Sequence, residues 1–214
     1  MQVTSQILHE IGQYLKLPCT IILFLLMAVS VVELGYFFCE AVGRCKKKKC
    51  DTVAMLHEID GKSVTDVKKI VDGTALLNRQ KKTILRLLET SDLEPEVREA
   101  AARRLLEQEE EYYHKILSAT NMVAKLGPMF GLLGTLIPLG PGIVALGQGD
   151  TQTLSQAMEY AFDTTIAGLI SAAVCSVISM CRQKWYKREI EDLEVVMEGC
   201  LTEMQSLKAS EKEA

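Results

Sequence analysis

The chain has 214 residues, 48% of them hydrophobic, with a formal net charge of −4, a pI near 5.5 and a mean hydropathy of +0.13. Nothing in that balance favours nucleic acid as a partner. The chain carries no nucleophile–base set, no phosphate-binding loop and no metal-ligand cluster, so the composition points away from an enzyme and calls for no cofactor and no metal.

The hydrophobicity is concentrated in three runs. Residues 18–39 carry one ionisable group, Glu33; residues 126–146 carry none; residues 160–181 carry only Asp163. A helix needs about 20 apolar residues to cross a bilayer core of ~30 Å, so three transmembrane helices are expected. The first run is too long for a signal-peptide core and lacks a basic leader, and is expected to stay as an anchor. Ahead of it, Ile7, Leu8, Ile11 and Leu15 recur at helical spacing, suggesting a short helix on the outer surface over 1–17.

Basic residues fix the expected orientation. Arg44 and Lys46, Lys47, Lys48 and Lys49 follow the first run; Arg182, Lys184, Lys187 and Arg188 follow the third; residues 147–159 have no Lys or Arg. Both clusters are then cytoplasmic. The expected order is an outer segment 1–17, a first span 18–40, a cytoplasmic helical segment 41–121, a second span 122–146, a short outer link 147–159, a third span 160–181 and a cytoplasmic extension 182–214. Tyr36, Phe37 and Phe38, and Trp185 and Tyr186, suit an aromatic belt at the span exits. The basic cluster 44–49 suits anionic lipid headgroups. In this topology the seven cysteines lie in spans or in the cytoplasm, where a disulfide framework is not expected.

The cytoplasmic segment reads as helices. Ser63 with Asp66 resembles a capping box, a second helix is expected over 75–90, and Pro95 suits the first position of a third. From Pro95 there is no Gly or Pro until Gly127, so one helix is expected to run from there through the second span. The third span likewise continues into a cytoplasmic stripe of Ile190, Leu193, Val196, Met197, Cys200 and Met204. The fold class is all-α: an integral membrane protein whose second and third helices extend into a long cytoplasmic bundle.

The second span is unusual. LGPMFGLLGTLIPLGPG, residues 126–142, holds three prolines and five glycines. Pro138 and Pro141 each free a backbone carbonyl, tolerated at membrane depth only against protein or a wet cavity. At 100° per residue, Pro128, Gly131, Thr135, Pro138 and Gly142 share one side, and in the third span Thr165, Gly168, Ala172, Ser176 and Ser179 form another small, hydroxylated face. Such faces fit plain helix packing or a pore or partner-lined cavity. Asp163 fits either a solvated carboxylate near the helix start or a role in ion entry or partner contact; Glu33 is placed to pair with another helix.

GLLGT at 131–135, followed after a short link by AFDTTIAGL at 161–169, resembles the MotA/TolQ/ExbB proton-channel family, as a divergent member of the ExbB and TolQ type. Tyr160 stands where those chains usually carry a glutamate, and Glu159 is adjacent. The resemblance implies a homopentamer in the cytoplasmic (plasma) membrane. Its second and third spans would line a pore around a single-span subunit of the ExbD, TolR or MotB type, whose membrane aspartate carries the proton. Thr135 and Thr165 would be the pore-facing hydroxyls, with Asp163, Gly131, Gly168 and Ser176 along the same pathway. The function implied is a stator subunit coupling a proton gradient to movement of that partner. The alternative is an oligomeric membrane scaffold recruiting proteins through its cytoplasmic helices.

Overall fold

The computed structural model describes the backbone of residues 2–46, 52–59, 61–62, 64–74 and 76–213, with side chains described over 14–206 apart from 45, 46, 53, 64 and 65 within the helices. The described chain is all-helical. The helices are α1 (Gln2–Lys46), α2 (Thr52–Ile59), α3 (Val64–Gly73), α4 (Asn78–Leu88), α5 (Pro95–Gly147) and α6 (Thr151–Glu213). Three stretches, Tyr14–Arg44, Pro95–Gly147 and Thr151–Ser206, are long and apolar enough to cross a membrane.

Several elements differ from expectation. α1 runs through Pro18 without a break, so residues 2–17 continue the first apolar helix instead of forming a separate one. α4 begins three residues later than position 75, where the Gln80 carboxamide accepts the Leu77 N–H at 3.2 Å. The helix α2 carried no expectation at all. Ser63, the expected cap of α3, and Lys47, Lys48 and Lys49 lie outside the described residues.

The chain divides into two compact units, Met1–Ala41 with Ile116–Arg182, and Val42–Lys115 with Gln183–Ala214. In the first, α5 and α6 form an antiparallel hairpin closed by Gln148–Asp150. Gly149 adopts a φ of 82°, a left-handed conformation open to glycine at little steric cost. The Asp150 carboxylate then caps α6, accepting from the Thr153 N–H at 3.1 Å and the Thr153 hydroxyl at 2.5 Å. Residues 151–159 of the expected link are thus helical. α1 lies against the hairpin through Leu26, which clusters with Val123 and Cys175.

The second unit has an ordinary apolar core. Met55, Ile59, Val67, Val71, Ile84, Leu87 and Leu88 pack on the α6 stripe of Leu193, Val196, Met197, Cys200 and Met204. Polar groups tie its helices together. Glu109 is buried, taking the Thr83 hydroxyl at 2.9 Å and the Arg79 guanidinium at 2.6 Å. Gln80 donates to the Glu189 carbonyl at 2.9 Å. Arg98 is fully buried with no partner for its guanidinium nitrogens among the described residues, a desolvation cost that the surrounding burial must offset.

Candidate functional site

The glycines of α5 face α6. A Cβ on Gly127 would lie 2.6 Å from the Gly168 carbonyl oxygen, and one on Gly134 would lie 2.8 Å from the Thr164 hydroxyl. Gly131 meets Thr164, Thr165 and Gly168, and Gly142 meets Ala157 and Leu154. Gly131 and Gly168 therefore sit inside the α5–α6 seam, where they bring two backbones together. Pro138 is buried in the same unit.

Thr135 and Thr165 stand at the edge of that seam, both half-buried. Val123 and Phe130 mark the side of α5 turned to α1, and Tyr160 and Asp163 mark the corresponding side of α6. Helical rotation of about 100° per residue then puts both threonines on the opposite flank, away from α1. Exposed Leu132 and Ile143 share that flank on α5, and Leu169, Ser176 and Met180 share it on α6. The Thr135 hydroxyl donates to the Leu132 carbonyl at 2.7 Å and that of Thr165 to the Ala161 carbonyl at 3.1 Å. Each hydroxyl has thus spent its proton on its own helix and offers only acceptor lone pairs outward.

Asp163 is not brought together with Thr165. The two are about 200° apart round α6, and Asp163 lines a groove shared with α1. The Thr164 hydroxyl is turned inward, buried against Gly134. Tyr160 is hydrogen-bonded through its hydroxyl to Thr20 of α1.

One cluster was legible in the sequence only at its Glu33 end. The Arg182 side chain is 4% exposed and reaches Glu33 at 2.7 Å and Glu40 at 3.1 Å. Glu33, the lone ionisable group of the first apolar run, thereby finds its partner. The signal was available: a carboxylate within a membrane run demands a cation at similar depth, and Arg182 ends the third run. Arg44, grouped with the lipid-facing lysines by sequence, is bonded to Glu189 and lies over Trp185, 4.9 Å from the ring centre.

A helical hairpin closed by glycine packing, with hydroxyls on one exposed flank and a third apolar helix on the other, defines a multi-pass helical membrane protein. The sequence profile of the MotA/TolQ/ExbB proton channel family matches residues 55–195, and the chain belongs to that family. It is a family of channels, not of enzymes. No individual curated protein matches the chain.

Proposed function

We propose that the protein is an ion-conducting subunit of a gradient-driven motor in the cytoplasmic membrane. In this reading copies of the chain, five by family analogy, surround a single-span partner of the ExbD, TolR or MotB type and expose Thr135 and Thr165 to it. The N-terminus is outside and the C-terminus cytoplasmic. The observation that carries the proposal is the common flank of the two threonines, bordered by exposed apolar surface and turned from α1. Their remaining lone pairs suit the chemistry. A protonated carboxyl on the partner has a donor to give each hydroxyl, whereas a carboxylate has none. A site that favours the neutral acid in a dry interior raises the carboxyl pKa and lets a proton be held there. Ser176, three turns further along α6, extends the hydroxylated flank. Gly131 and Gly168 serve by keeping the hairpin thin.

Thr135→Val and Thr165→Val preserve side-chain shape and remove the acceptor. Each is expected to lower gradient-driven proton flux about tenfold or more, since an unpaired buried carboxyl costs on the order of 1–3 kcal/mol. Assembly, followed by native mass spectrometry, should be unchanged. Flux at the native level in both variants overturns the assignment and favours a scaffold working through its cytoplasmic helices.

A further inference from the structure

A second site lies on the other face of the hairpin. A groove of about 310 Å³ opens between α1 and α6, its apolar wall made by Leu23, Phe24, Met27 and Ala167. Phe24 is 65% exposed, so the slot is open at that residue. Asp163 borders the groove and forms no hydrogen bond or ion pair with any described residue. The Lys16 ammonium lies 4.7 Å from the centre of the ring of Tyr160, which also lines the groove. Tyr160 and Asp163 are one turn apart on α6, about 4.5 Å along its axis. An apolar slot is therefore bordered by one anion, Asp163, and by Tyr160, whose ring carries one cation, Lys16, on helices apolar enough to cross a bilayer.

Neither charge is stable against bare hydrocarbon. The ligand that satisfies both must carry an anion for Lys16, a hydrogen-bonding cation for Asp163 and an apolar tail for the slot. We infer that this groove binds a phospholipid with a primary ammonium headgroup, of the phosphatidylethanolamine class. Its phosphate sits on Lys16, its ammonium on Asp163, and one acyl chain runs along Leu23, Met27 and Ala167. An anionic glycerol headgroup offers Asp163 no cation, and a choline headgroup has no N–H to donate. The site rests only on α1 and α6 lying in the bilayer. Its readout is retained lipid, so failure of the threonine pathway leaves it standing.

The test takes the full-length protein in mild detergent, exposes it to an equimolar mixture of phosphatidylethanolamine, phosphatidylcholine and phosphatidylglycerol, and counts bound lipids by native mass spectrometry. The native chain should retain the ethanolamine lipid about threefold or more over the choline lipid, the advantage expected of one solvent-weakened hydrogen bond from an ammonium N–H that choline lacks. Asp163→Asn should erase that preference while total lipid stays. Ala167→Phe, which fills the slot, should lower the total, and Lys16→Gln should do so more weakly. Equal lipid ratios in the native chain and Asp163→Asn overturn the inference. So does an Ala167→Phe variant that keeps its lipid but loses its oligomer, which assigns the groove to a neighbouring copy of the chain.

Discussion

Arg182 shows how much one side chain can hold. It is nearly inaccessible and answers two carboxylates, Glu33 and Glu40, both on α1. Replacing it by Met takes from the partly buried Glu33 and Glu40 the guanidinium they share, and breaking such an arrangement costs a few kcal/mol, about 3 at this exposure. Arg182→Met is expected to lower the unfolding free energy in detergent by about that much, read as a lower midpoint, whereas Glu33→Gln should cost clearly less, because Glu40 still pairs with the arginine. Equal midpoints for the native chain and Arg182→Met would show that the triad carries no net stability. The cluster was half legible. Glu33 announced itself as a charge inside an apolar run, but Arg182 read equally well as one more topology-setting cation. Sequence spacing of 149 residues gives no hint that the two meet.

The α5–α6 hairpin depends on backbone approach. At Gly168 an added methyl would meet the Gly127 carbonyl oxygen at 2.5 Å, and a backbone oxygen cannot turn aside as a side chain can. Gly168→Ala and Gly127→Ala must therefore push the helices apart, at about 1–3 kcal/mol each by analogy with overpacked cores. Gly140 and Gly147 have nothing within 4 Å of an added Cβ. Ala at Gly140, inside the helix, should stabilise by about 0.5–1 kcal/mol. Thermal denaturation of the three single variants checks the contrast, and uniform tolerance would mean that the helices do not touch there. The long helices were legible because α5 has no glycine or proline from Glu96 to Leu126 and α6 has none between Gly168 and Gly199. Which side of each helix packs was not. Gly131 and Thr135 lie within about 40° of each other on the wheel, yet the first is buried in the seam and the second stands at its edge. That separation depends on where α1 and α6 lie, which periodicity alone does not specify. The start of α6 at Thr151 has a local signal of its own, the Asp150 cap, which is independent of hydropathy.

The two compact units answer to different stabilising forces, and each carries a buried thiol that reports on it. Cys175 is wholly inaccessible among apolar side chains of the membrane unit. Cys200 is 1% exposed in the core shared by α2, α3, α4 and α6. Water-soluble denaturants weaken apolar burial in an aqueous core, whereas helices in detergent keep their backbone hydrogen bonds internal and their apolar faces solvated. Urea is therefore expected to expose Cys200 to a maleimide at lower concentration than Cys175, giving two separate labelling midpoints. Alkaline pH separates them again. Burial raises the Cys200 thiol to about 12, above its unfolded value, so between those limits the unfolded chain has released a proton that the folded chain retains. The unfolded state binds fewer protons there, and stability of this unit must fall as pH rises from near 9 toward 12. Cys200→Ala removes that slope at the expense of a small cavity. The native labelling midpoint should thus move to lower urea between pH 9 and pH 10.5 while the variant's unfolding midpoint, followed by near-ultraviolet circular dichroism, moves less. Identical shifts in the two chains would place the alkaline sensitivity elsewhere than at Cys200.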